Sequence, residues 1–220
     1  MRTKQTILFF FALFFAINLS AQFSKREMRA VWIATVANID WPSRMGLSSK
    51  EQKAEMIQLL NKCKENNINA IFVQIRPTAD AFFPSTLEPW SHWLTGKQGV
   101  APQPFYDPLE FIITEAHKRC IEVHAWLNPY RVVNSDDISL LDKNHLYFKK
   151  KELFVKYGGK YYFDPGLEET REFLVSVVKN IVEMYDIDAI HFDDYFYPYP
   201  VKGEEFPDEK TFKKYPRGFT

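Results

Sequence analysis

The sequence predicts an α/β fold in which parallel strands alternate with helices. Three observations carry that reading. Four apolar runs, at residues 28–36, 69–75, 121–127 and 187–195, are separated by segments of helical periodicity. The runs are short and continuous, as expected for strands of a parallel sheet covered by helices. The helix-to-strand connections are tight, whereas the strand-to-helix connections are long and carry the tryptophans, prolines and tyrosines. Ligands of parallel α/β folds bind at the carboxyl ends of the strands, so the chain spends its length where a site belongs.

The elements follow in order. MRAVWIATV is the first strand. Ser48 opens a helix as its N-cap, with Glu51 three residues on completing a capping box. Met56, Leu59, Leu60 and Cys63 form the apolar stripe of that helix. NAIFVQI is the second strand. Asp107 starts a second helix with Pro108 at its first position and Glu110 as the expected partner of a second capping box. Leu109, Ile112, Ile113 and Ala116 are its buried face. IEVHAWL is the third strand. Gly158-Gly159 turns a small hairpin between KY and KYYF. Asp164-Pro165 is read as the start of a third helix, with Phe173, Val177, Ile181 and Tyr185 inward. IDAIHFDDY is the fourth strand.

Both a doubly wound sheet and a (β/α)8 barrel of the TIM type accommodate this order. Strand polarity favours the barrel. Alternate positions show Phe72, Gln74 and Arg76, then His124, Trp126 and Asn128, then His191 and Asp193. The intervening positions are apolar. A face that becomes polar near its top suits a barrel whose interior opens into a site. A barrel needs eight strands and typically ~250 residues. The chain is therefore read as the first four β-α units of a barrel, residues 27–220, truncated at its C-terminus.

Composition excludes other classes. The chain is 46% hydrophobic and 16% aromatic, too apolar for a disordered segment. Lys+Arg 28 balance Asp+Glu 28, which gives no electrostatic reason for a nucleic-acid partner. Residues 1–21 read as a secretory signal peptide: Arg2 and Lys4, an apolar run over residues 7–17, and small residues ending at Ala21. The expected protein is exported, periplasmic or extracellular, with no stable membrane span after cleavage. Cys63 and Cys120 are read as two buried free thiols rather than a disulfide.

Candidate chemistry clusters at strand ends. Asp193 and Asp194 end the fourth strand and point to opposite faces, with Asp193 inward. Glycoside hydrolysis uses two carboxyl groups, ~5 Å apart for retention and ~6.5–9.5 Å for inversion. Asp80 and Asp40 are weaker candidates for the second. Arg76 can hold a substrate hydroxyl or pair with Asp193 or Asp80. Asn128 can bind a hydroxyl or hold the turn before Pro129. Tyr130, Arg131, His191 and Tyr195 stand beside these residues in sequence and are expected, with Arg76, Asp80 and Asn128, to bind substrate. His124 and His191 read first as structural hydrogen bonders. Trp41, Trp90 and Trp93 lie in strand-to-helix loops, where exposed rings suit the apolar faces of sugars. No H-x-H or H-E-x-x-H spacing points to a metal, and there is no Gly-rich phosphate loop or G-x-S-x-G elbow.

MRAVWIATVANIDWPS, FVQIRPTADAFFPS, EPWSHWLTG, HAWLNPYR, YFDPG and DAIHFDDYFYPYP, in that order, resemble the glycosyl hydrolase-like family 10 proteins. The resemblance runs from about Glu27 to about Pro200. It implies an exported bacterial protein with a (β/α)8 barrel and glycosidase activity, and at least one member type acts on peptidoglycan glycan strands stripped of their stem peptides. Carried over, the HFDDYF block falls on residues 191–196, QIRP on residues 74–77 and NPYR on residues 128–131. The expected function is hydrolysis of O-glycosidic bonds in a polysaccharide by carboxylate acid/base chemistry, with Asp193 or Asp194 as one catalytic group and no cofactor. A non-catalytic carbohydrate-binding protein and a metal-dependent hydrolase or deacetylase are the alternatives.

Overall fold

The computed structural model describes residues 27–219; the expected signal peptide lies outside them. A parallel sheet forms the centre, in the order β1-β2-β3-β7. Its strands are β1 (Ala30–Ile33), β2 (Ala70–Arg76), β3 (Glu122–Leu127) and β7 (Ala189–Phe192). The strands are in register, with Phe72 beside His124 and Trp126 beside His191. β1 and β7 are the free edges of the sheet.

Three long helices connect these strands: α1 (Ser49–Glu65), α3 (Pro108–His117) and α5 (Glu168–Met184). Each brings its apolar stripe to one common core. Met56, Leu60 and Cys63 of α1 join Leu109, Ile112 and Ala116 of α3 and Val177 and Ile181 of α5. They meet Ile71, Val73, Ile75, Val123, Ala125 and Leu127, the alternate strand positions expected to be apolar. The opposite face of the sheet carries rings. Trp32 stands 4.9 Å from Trp126 and 5.0 Å from His191, while Phe72 stands 4.6 Å from His191.

Local chemistry sets the helix ends. The capping box of α1 is complete: Ser48 Oγ accepts from Glu51 N, and Glu51 Oε2 accepts from Ser48 N at 2.9 Å. At α3 only half of the expected box forms. Asp107 Oδ1 accepts from Leu109 N and Glu110 N, but the Glu110 carboxylate instead accepts from Thr114 Oγ1 one turn on. The Asp107 carboxylate has a second task, because Oδ2 accepts from Tyr185 OH at 2.7 Å and ties α3 to the end of α5. Burial raises the Asp107 carboxyl above its ordinary range and pushes the Tyr185 phenol up as well.

Two expectations need correction, and a third, the hairpin, holds as part of a larger sheet. The third helix begins at Glu168, not at Asp164-Pro165. Asp164 is committed elsewhere: Oδ1 accepts from Gly166 N at 2.9 Å in an Asx turn, and Oδ2 accepts from Thr211 Oγ1. Cys120 is exposed, unlike Cys63, and both thiols are free. It occupies the helix-to-strand turn at φ 57°, so its side chain leaves the chain before Ile121 enters the core. The expected hairpin is part of a three-stranded antiparallel sheet, β4-β6-β5. Its strands are β4 (Arg131–Val133), β5 (Phe154–Tyr157) and β6 (Lys160–Phe163). Gly158 and Gly159 make the turn with φ 56° and 69°, the backbone that a two-residue hairpin of this twist needs. This sheet buttresses the strand-end loops, with Phe163 N donating to Tyr130 O at 2.8 Å. Short helices α2 (His92–Thr95), α4 (Leu146–Lys149) and α6 (Glu209–Lys214) complete the described chain. No described helix is long and apolar enough to cross a membrane.

Candidate functional site

β2, β3 and β7 finish level with one another, since Arg76 pairs with Leu127 and Leu127 with Phe192. The next residues therefore converge. Asp193 follows β7 and is half-buried. Its Oδ2 accepts from Trp126 Nε1 at 3.2 Å. Its Oδ1 accepts from Asn128 Nδ2 at 3.2 Å and from Tyr195 N at 3.3 Å. The last of these bonds turns the backbone back on the side chain, which is why β7 stops at Phe192 rather than running to Tyr195. Asp194 is exposed.

Asn128 is fully buried and holds both the turn and the carboxylate. Its Oδ1 accepts from Arg131 N at 2.9 Å while Nδ2 reaches Asp193. Its main chain is fixed too: Asn128 N donates to Arg76 O, and Asn128 O accepts from Arg76 Nη1. The two readings of this residue, turn-former and polar group of the site, coexist in one side chain.

Arg76 is also fully buried, and each of its three side-chain nitrogens donates. Nε and Nη2 grip Glu88 at 2.6 and 2.5 Å, and Nη1 donates to the carbonyls of Asn128 and Pro129. Its acidic partner is Glu88, not Asp193 or Asp80. Arg76 thus fixes the ends of β2 and β3 from below. Glu88 is a residue the sequence reading missed, although it stands at the head of the EPWSHWLTG block.

The other expected residues divide. Tyr195 and Arg131 stay with the site, the guanidinium 4.9 Å from the ring centre. His191 lies two residues below Asp193 on the same face, among Trp32 and Phe72, and its Nε2 is buried without a partner among the described residues. Tyr130 packs near Phe196 on the helix side, where an apolar cavity of about 370 Å³ also touches Leu127, Arg171 and Phe192. Asp80 is wholly buried, with Thr78 Oγ1, Gln98 Nε2 and His92 Nδ1 around its oxygens. Asp40 accepts from Ala34 N at 2.7 Å within its own turn.

Trp41 is no exposed platform. It is 1% exposed, donates Nε1 to Gln52 O, and packs against Phe82. Trp90 and Trp93 are half-buried against the same core, Trp93 with its ring 3.9 Å from His92. The exposed rings include Trp32 at 52%, Phe196, Tyr197 and Tyr199 at 73%. Trp32 sits on a strand, not in a strand-to-helix loop.

The profile of the family described as "Glycosyl hydrolase-like 10" matches residues 27–219. The chain belongs to the glycosyl hydrolase-like 10 family. Glycosyl hydrolase YngK of Bacillus subtilis (strain 168) is 52% identical over 193 residues, covering 87% of this chain and 38% of that protein. Glycosyl hydrolase DigH of Escherichia coli (strain K12) is 36% identical over 216 residues, covering 91% of this chain and 48% of that protein. This family member thus spans less than half the length of either relative. Alpha-L-fucosidase isoenzyme 2 from Paenibacillus thiaminolyticus superposes with a TM-score of 0.47 at 18% identity, over 76% of this chain and 23% of that one.

Proposed function

We propose that this chain forms the first four β-α units of a (β/α)8 barrel in an exported glycoside hydrolase, with Asp193 as one of its two catalytic carboxyl groups. One observation carries the assignment: Asp193, at the carboxyl end of a parallel strand, has its two oxygens held by Trp126, Asn128 and the Tyr195 amide. Three donors from separate points fix a carboxylate far better than one. Such fixing is what a nucleophile or general base beside a glycosidic bond requires. Asp194 is exposed and unheld by comparison.

Asp80 and Asp40 are occupied by their own partners, so the second carboxyl group is assigned to a later strand of a longer protein. The relatives, more than twice the length matched, support that reading. Its distance from Asp193 would set retention or inversion. In this reading Arg131 and Tyr195 meet sugar hydroxyls and ring faces, while Arg76 and Asn128 position the strand ends and Asp193. The substrate class is a polysaccharide, with peptidoglycan glycan strands as the first to try.

The test is Asp193→Asn in the full-length protein, measured as reducing-end release from purified glycan strands. Loss of release by about 10³-fold or more, with the thermal transition retained, is the expected result. Unchanged release would overturn the assignment.

A further inference from the structure

A second cavity, of about 460 Å³, opens between the loops that follow β2 and β4. Its wall includes His92, Lys97, Gln98, Leu140, Asp142 and Lys143. None of these touches Asp193. Lys97 and Lys143 are exposed, and neither has an ion-pair partner among the described residues.

The wall behind the two lysines is built. Gln98 is 4% exposed; its Nε2 donates to Asp80 Oδ2, and its Oε1 accepts from Asp142 N at 2.7 Å. Asp142 Oδ1 accepts from Asn144 N at 2.8 Å. His92 is held from two sides, with Nδ1 3.6 Å from the buried Asp80 carboxylate and its ring packed on Trp93. Leu140 is half-exposed and supplies an apolar surface.

The chemistry of this lining is directional. Lys97 and Lys143 line the cavity together with one carboxylate, that of Asp142, whose Oδ1 is already engaged. That excess positive charge selects an anion. The volume is far more than a simple ion fills and falls in the range of small-molecule sites. A polar wall beside an exposed leucine suits a body with hydroxyl edges and a C–H face. We infer that this cavity is a subsite for an acidic sugar, a saccharide unit bearing a carboxylate. Lys97 and Lys143 hold the carboxylate, and Leu140 packs against the ring. The inference rests on the reading of the protein as glycan-directed, and it narrows the substrate to glycans that carry carboxylates.

The experiment is calorimetric titration of the full-length protein with sodium glucuronate, glucose and sodium acetate at matched ionic strength. Glucuronate should saturate at one equivalent, in a range where glucose and acetate do not. Lys97→Gln combined with Lys143→Gln should weaken glucuronate roughly tenfold, and Lys97→Arg combined with Lys143→Arg should retain it. Absence of glucuronate binding overturns the proposal. So does glucose or acetate binding as tightly as glucuronate, or a glutamine double variant with unchanged affinity. These monosaccharides hold no glycosidic bond for the protein to cleave. The titration therefore reads binding alone, and its failure leaves the Asp193 assignment standing.

Discussion

Asn128 Nδ2 reaches from the end of β3 to Asp193 Oδ1 at the end of β7, 3.2 Å away. The same side chain accepts from Arg131 N, and the same peptide is clamped by Arg76. One buried amide therefore couples the orientation of the candidate carboxylate to the shape of the loop that carries Tyr130 and Arg131. Asn128→Ala removes both links and leaves the Arg131 N–H without its acceptor. The expected cost is about 1–3 kcal/mol of stability, read by urea denaturation. In a full-length protein the glycan-cleaving rate should fall more than the substrate affinity, because the change misplaces Asp193 without removing a binding surface. A rise in KM alone, at constant kcat, would argue that Asn128 touches substrate instead.

The Arg76–Glu88 pair lies wholly inside the protein, with side chains 0% and 3% exposed. Removing one charge strands the other. Glu88→Gln should cost about 3–5 kcal/mol, and Arg76→Met a similar amount. The double variant Arg76→Met with Glu88→Met should recover part of that loss, since no lone charge remains. A double-mutant cycle by chemical denaturation checks this, and strict additivity of the two single losses would contradict it.

The parts of the fold that were legible in the sequence are those with a local physical cause. Ser48 with Glu51, Pro108 after Asp107, and the Gly158-Gly159 turn each act within four residues, and the structure keeps them. Period-two alternation separated Ile71, Val73 and Ile75 from Phe72, Gln74 and Arg76, and so marked the face on which Asp193 lies. What stayed illegible depends on partners distant in sequence. Strand β4 is three residues long and exists because Tyr161 and Tyr162 pair with it. Asp164 reads as a helix cap until Thr211 claims its carboxylate. Glu88 has no periodicity to announce it, and only the three-dimensional path of its loop brings it onto Arg76. The placement of Trp41 and Trp32 has the same origin. A loop tryptophan was folded into the core through Gln52, while a strand tryptophan was left on the uncovered face.

Buried His145 makes the loop beside Asp80 sensitive to acid. Its Nδ1 accepts from Tyr147 N, which leaves Nε2 to carry the proton and donate to Ala79 O at 3.2 Å. Loss of hydration pushes its pKa down to about 4, against the opposing pull of the Asp80 carboxylate and the Ala79 carbonyl. The unfolded chain binds this proton near pH 6.5 and the folded chain near 4. Between those values the unfolded state holds more protons, so stability rises with pH. The contribution is fully present above pH 6.5 and is lost as pH falls toward 4, a swing on the order of 3 kcal/mol. Denaturation midpoints of the wild type and His145→Gln, measured from pH 4 to 7, should differ in slope, with the variant flatter. Parallel curves would remove His145 as the cause.

Gly99 is the position where a single methyl group tests the second cavity. Its φ is 82°, and a Cβ there would stand 2.5 Å from Asp142 Oδ2. Gly99→Ala therefore adds a left-handed backbone penalty of about 1–3 kcal/mol and drives Asp142 from its place. Asp142 N donates to Gln98 Oε1, and Gln98 Nε2 donates to Asp80, so the displacement passes to the wall that holds the buried carboxylate. Affinity for glucuronate should fall even though both lysines remain. The near-ultraviolet dichroism of the protein should be preserved, because the collision is with one side chain outside the hydrophobic core. The control is Gly159→Ala, also at positive φ but with open space around the new Cβ. It carries the backbone strain without the collision, so it should lower stability by a comparable amount and leave glucuronate binding intact. Equal loss of binding in both variants would trace the effect to general destabilisation rather than to Asp142.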